Sequence, residues 1–159
     1  MWDWNYAFSI LPQILSALKI TVAATFSGFL LALALGLILS VLSRINIRPV
    51  SLVVKGLVQF IRDTPLLVQL YFIFYVFPKF GLTLEPFTAG ILGLGIHYAT
   101  YLSEVFRSGI EAVHAGQWEA AKALNFSRIK TWTRIILPQA IPPVIPVIGN
   151  YLITMFKET

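Results

Sequence analysis

The apolar residues of this chain are gathered into long uncharged runs separated by short polar stretches, a pattern that predicts membrane-crossing helices. The clearest run, Ile20 to Ser43, is bounded by Lys19 and Arg44. At 1.5 Å per residue it exceeds a hydrocarbon core of about 30 Å. A second uncharged run, Thr64 to Pro78, is short for a crossing. Its helix is therefore expected to begin upstream and cover 50–78, bent at Pro65, with Lys55 and Arg62 snorkelling toward one face. Pro86 to Ser103 gives a third run, with a helix extending to residue 108. Ile135 to Phe156 gives a fourth, in which Pro138, Pro142, Pro143 and Pro146 predict a kinked or irregular beginning. Gly81, Thr83, Glu85 and Pro86 mark a turn between the second and third runs.

The expected architecture is thus all-α: a polytopic transmembrane helical bundle forming one domain over 1–159. Its four spans are placed at 20–43, 50–78, 86–108 and 135–156, with a polar loop at 109–134. Ala24, Gly28, Ala32, Gly36 and Ser40 recur every four residues along the first span. That stripe suits close approach by another helix, although small residues are also simply common in membrane helices. Ahead of the first span, Trp2, Trp4 and Tyr6 precede Phe8, Leu11, Leu15 and Leu18 at helical spacing. This stretch reads as an interfacial segment or a frayed terminus, and not as a cleaved signal peptide, because Asp3 precedes Lys19 and the following apolar run is too long.

Composition agrees with lipid as the solvent: 57% of residues are hydrophobic, 12% are charged, and the mean hydropathy is +0.78. A net charge of +5 could point to nucleic acid. The cations instead cluster as Arg44, Arg48, Lys55 and Arg62 after the first span and Lys122, Arg128, Lys130 and Arg134 after the third, against Lys79 alone between the second and third. By the positive-inside rule these clusters are cytoplasmic, the N-terminus is outside, and no nucleic-acid partner is expected. There is no cysteine, His97 and His114 stand far apart, and no Gly-x-x-x-x-Gly-Lys-Ser/Thr segment exists. Metal, redox and nucleotide chemistry are therefore not expected of this chain, and no cofactor is assigned. No serine, histidine and carboxylate share a depth that would suit an intramembrane hydrolase.

The polar loop carries Gly116-Gln117-Trp118-Glu119-Ala120-Ala121-Lys122-Ala123-Leu124-Asn125, followed by Ile135-Ile136-Leu137-Pro138. Trp118 to Leu124 predicts a short helix with Glu119 near its positive end and alanines keeping it thin enough to enter a groove. This segment resembles the EAA loop of ABC-importer permeases. Glu119, Ala120, Ala121, Ile135, Leu137 and Pro138 match in register, while Asn125 stands at the family's glycine. Asparagine is the residue most tolerant, after glycine, of the left-handed conformation that ends a helix. Upstream, Phe60-Ile61-Arg62-Asp63-Thr64-Pro65-Leu66 is similar to the Phe-x-Arg-Gly-Thr-Pro-Leu segment of polar amino-acid permeases, with Asp63 in place of glycine. Tyr101, Glu104, Arg107, Gly109 and Ile110 also match that subfamily, within which the sequence is most similar to ectoine and hydroxyectoine permeases.

The resemblance implies an importer subunit of the bacterial inner membrane. Its partners would be cytoplasmic ATP-binding subunits docking on the EAA loop, a second permease subunit and an external solute-binding protein. Members of the subfamily usually have five spans, so a fifth, C-terminal span is expected to be missing. A truncated remnant without transport activity and a membrane-embedded enzyme are the alternatives. Gly90, Gly93, His97, Tyr101, Glu104 and Ser108 share one face of the third helix. With Gln69 and Asn150, this face is the candidate solute path, and structural hydrogen bonding between helices explains the same residues equally well.

Overall fold

The computed structural model describes residues 3–159; Trp2, expected at the membrane interface, lies outside the described residues. Among the described residues there is helix and no strand. The elements are α1 (Trp4–Leu42), α2 (Arg48–Asp63), α3 (Leu66–Tyr71), α4 (Pro86–Glu111), α5 (Ala115–Ala123), α6 (Arg128–Thr131) and α7 (Leu137–Glu158).

The first span is part of a longer helix. Asp3 caps α1, its carboxylate accepting from the Asn5 and Tyr6 backbone N–H groups at 2.9 and 3.1 Å, and the helix then runs unbroken for 39 residues. Residues 4–19 are neither frayed nor a separate interfacial helix: they continue the span in the same rod. Every member of the small-residue stripe is buried, and α1 lies against α4 along it. A methyl added at Gly36 would sit 2.9 Å from the Ala99 carbonyl oxygen and 3.0 Å from the Leu102 Cβ, so the backbones touch there. At Gly28 the nearest atom, the Leu94 Cβ, is 3.4 Å away. The stripe is therefore a packing surface.

α4 is the central helix. It touches α1, α2, α3 and α7, and its glycines admit its neighbours: Gly93 faces Leu70 of α3, Gly95 faces Leu31 of α1, and Gly109 faces Val144 of α7. Phe29, Ala32, Leu94, Tyr98, Leu102 and Met155 close the core between α1, α4 and α7. The buried hydroxyls of Thr100 and Ser103 donate to the carbonyls of His97 and Thr100, at 2.6 and 2.7 Å, so their polar groups are satisfied within the helix.

The segment expected as one bent span over 50–78 is broken. α2 ends at Asp63, Thr64 is extended, and the helix that follows turns away by 101°. Proline disfavours a helical residue before it, and here the chain leaves the helix altogether at Thr64 instead of bending through it. Two further irregularities share a cause. At 72–76 and at 132–136 the helix widens to a π turn, with Phe77 N–H bonded to the Phe72 carbonyl and Leu137 N–H to the Trp132 carbonyl. Each π turn lies just ahead of a proline, Pro78 or Pro138, which has no N–H for the ordinary bond and crowds the carbonyl four residues back. Pro142, Pro143 and Pro146 are accommodated inside α7, so the irregularity of the last span is confined to its approach.

By length and apolarity, α1 and the stretch Arg128–Glu158 can each cross a membrane alone, and the broken pair 48–63 and 66–80 makes a third candidate. α4, where a span at 86–108 was expected, has the length but is less apolar, as its enclosure by other helices allows.

Candidate functional site

The short helix of the polar loop forms as α5, beginning three residues earlier than expected. His114 caps it, its Nδ1 accepting from the Gly116 N–H at 3.1 Å. Glu119 consequently sits in the second turn, too far along for the dipole contribution expected of it. The C-terminus closes as a Schellman motif: Phe126 N–H bonds the Ala121 carbonyl, Asn125 N–H bonds the Lys122 carbonyl, both at 3.0 Å, and Asn125 takes φ 52°. Asparagine thus does the work of the family's glycine.

α5 is held by its own chain along one side. Trp118 meets Trp132 edge to face, with ring centroids 5.3 Å apart, over a cluster of Val113, Ile136 and Ala140 flanked by Ile110 and Ile135. Gln139 donates to Gln117 at 3.4 Å and to the Ile135 carbonyl at 2.7 Å. Ala121 is buried, so the alanines do not form one free face. Glu119, Ala120 and Ala123 point outward with Leu124, and Glu119 has no hydrogen bond or ion pair within the described residues. Of the motif's distal residues, Ile135 and Leu137 are half-buried and Pro138 is exposed. Ile136, missed by the motif, is the fully buried anchor.

A second cluster forms at the break between α2 and α3. The Gln69 amide nitrogen donates to the Ile61 carbonyl at 2.7 Å and the Thr64 carbonyl at 2.8 Å, satisfying backbone groups that the break releases. It also lies 3.0 Å from Nδ1 of the buried His97. The amide has two N–H groups and the two carbonyls take both, so His97 packs against it as a close polar neighbour. The Arg62 guanidinium stacks over Tyr101 at 5.3 Å, its buried Nε lacks a partner, and the Tyr101 hydroxyl donates to the Arg62 carbonyl at 3.4 Å. Thr64 donates to the Phe60 carbonyl at 2.8 Å, Asp63 accepts from Gln59 at 2.9 Å, and Pro65 opens α3.

The structure therefore brings together Arg62, Gln69, His97 and Tyr101 but not the whole expected path. Glu104 belongs to another group, gripped at 2.6 Å by Arg107, which also bonds Glu111 at 2.6 Å; Arg44 reaches Glu111 at 3.5 Å. Asn150 is exposed and its side chain bonds to none of the cluster. Its neighbour Tyr151 turns inward instead, with its ring 5.7 Å from Tyr101 and 6.1 Å from Tyr98, and the Tyr98 hydroxyl donates to Glu158 at 2.5 Å. The missed residues were signalled by period: Ala140, Val144, Ile148, Tyr151, Met155 and Glu158 follow spacings of four and three down one face of α7. Among the described residues no three histidine or carboxylate groups meet in a way that could hold a metal ion.

Helices suited to lipid, a broken crossing element with its backbone satisfied by side chains, and a short helix held outside the bundle define a polytopic membrane component. The chain belongs to the family of binding-protein-dependent transport system inner membrane components, which matches residues 32–159. It is 48% identical over 153 residues to a probable amino-acid ABC transporter permease of Sinorhizobium fredii (strain NBRC 101917 / NGR234), covering 96% of this chain and 66% of that protein. It is 37% identical over 151 residues to the L-cystine transport system permease protein TcyB of Bacillus subtilis (strain 168), covering 95% and 64%. The chain thus spans about two thirds of the length of these curated relatives. A crystal structure of an amino acid ABC transporter with histidines superposes with a TM-score of 0.92 at 35% identity, over 99% of this chain and 74% of that one. The MetNI methionine ABC transporter, in an inward-facing conformation, shares the fold at a TM-score of 0.68 and 20% identity, over 98% and 74%.

Proposed function

We propose that this chain acts as the permease subunit of an ABC importer for a polar amino acid. ATP hydrolysis would reside on separate cytoplasmic subunits, a second permease would complete the path, and an external binding protein would deliver the solute. The observation that carries this reading is α5: its inner side is fixed by Trp118, Ala121 and Ile136, while Glu119, Ala120, Ala123 and Leu124 are left outward. A rigidly mounted helix with an unpaired carboxylate and small neighbours suits a partner's groove lined by donors. The relatives named above are permeases for amino acids and for L-cystine, which supports the amino-acid class. The ectoine reading rests on sequence resemblance alone. Arg62, Gln69, His97 and Tyr101 are the residues we assign to the solute path, with the N-terminus and residues 79–85 outside and 109–134 in the cytoplasm.

The test uses the full importer reconstituted with its ATP-binding subunits. Glu119→Ala should weaken subunit association by about 2–5 kcal/mol if a buried partner is left unpaired, with membrane insertion unchanged. Ala120→Trp should block docking from outside, whereas Ala121→Trp should disturb the chain's own fold and lower its yield. Normal association and normal binding-protein-stimulated ATP hydrolysis in both the Glu119 and Ala120 variants would remove the basis for this function.

A further inference from the structure

We infer that Arg48 and Lys55 of α2 form a headgroup site for an anionic phospholipid. The two cations stand two turns apart on one face and line a cavity of about 360 Å³ with Ile45, Asn46, Ser51 and Leu52. Neither has a hydrogen bond or ion pair among the described residues, whereas nearby Arg44 and Arg107 are both committed to carboxylates.

α2 has three distinct sides. Val54 and Val58 are buried against the bundle. Val53, Leu57 and Phe60 form an apolar side, exposed by 71%, 50% and 70%, of the kind that suits an apolar solvent. The third side carries Arg48 and Lys55, and Leu52, 69% exposed, lies at its border with the apolar side. The 101° turn at Thr64 sets α2 nearly perpendicular to the leg 66–80, so α2 lies along the membrane surface where that leg dips into the bilayer.

An amphipathic helix so placed sinks its apolar side among acyl chains and holds its cations at phosphate depth. A lipid phosphate in the cavity accepts hydrogen bonds from both cations while its chains cover Val53 and Phe60. A free soluble anion would pair with the cations and leave the apolar side bare. The inference requires only the membrane residence of the family and is independent of the proposed transport.

The experiment compares retained phosphatidylglycerol, by native mass spectrometry, after purification of the full chain from bilayers of mixed phosphatidylcholine and phosphatidylglycerol. The Arg48→Gln/Lys55→Gln variant should lose about 25-fold in retention, roughly fivefold for each charge at the membrane surface. The charge-preserving Arg48→Lys/Lys55→Arg variant should keep it, and so should Arg128→Gln/Lys130→Gln, which removes the same charge elsewhere. Excess inorganic phosphate should not compete. Retention unchanged in the first variant, equal loss in the Arg128/Lys130 variant, loss in the charge-preserving variant, or displacement by phosphate would each overturn the assignment.

Discussion

At the scale of single residues, Gln69 carries the most structure per atom. Its amide satisfies the Ile61 and Thr64 carbonyls across the break and lies against His97. Gln69→Leu should therefore cost about 1–3 kcal/mol, the desolvation of groups left unsatisfied. Gln69→Glu should be worse, because it sets a carboxylate against two carbonyl oxygens; a thermal unfolding series in one detergent that ranks both with the parent would contradict this. The residue's polarity inside an apolar run is visible in the sequence and suggested a solute contact. Its structural partners are not visible, since they become neighbours only when the chain turns by 101°. Asn125 is the opposite case, legible because one local conformation decides it. At φ 52°, Asn125→Gly should be tolerated, while a β-branched Asn125→Val should destabilise the end of α5 by about 1–2 kcal/mol, read as faster proteolytic cleavage of the loop at 124–127.

At the scale of elements, the spacing of small residues on α1 identified a packing face but not its partner. That partner is α4, whose own small residues are interleaved with His97, Tyr98 and Tyr101 and so make no simple stripe. The contact is graded along its length. Gly36→Ala should cost about 1–3 kcal/mol, because its methyl meets backbone that cannot move aside, whereas Gly28→Ala should be accommodated at ordinary contact distance. Gly56→Ala, with nothing within 4 Å of the added methyl, should stabilise α2 by about 0.5–1 kcal/mol. Equal effects at all three sites in a denaturant or thermal series would mean that the α1–α4 contact is not as close as described. The prolines were legible as breakers, but their outcomes differ: Pro65 ends a helix, Pro78 and Pro138 follow π turns, and Pro142, Pro143 and Pro146 ride within α7. Which outcome follows depends on what re-satisfies the freed carbonyls, and that is a tertiary property.

At the scale of the whole molecule, the two basic clusters predicted a common side for 44–62 and 122–134, and the packing is consistent with it. Arg44, just after α1, reaches Glu111 at the end of α4, so those two helix ends lie at the same edge of the bundle. The turn at 81–85 begins at Gly81, with φ 84°, and lies at the start of α4, the opposite end of that helix from Glu111. Membrane insertion driven by positive charge would then put Thr83 outside and Ser127 in the cytoplasm. Both side chains are exposed and the chain has no cysteine, so single substitutions report without background. On intact cells a membrane-impermeant thiol reagent should label Thr83→Cys and spare Ser127→Cys until the membrane is opened. The reverse pattern would invert the molecule. It would also put the outward side of α5 on the face of the membrane away from any ATP-binding subunit and contradict the proposed coupling, while the headgroup site on α2 would then face the other leaflet.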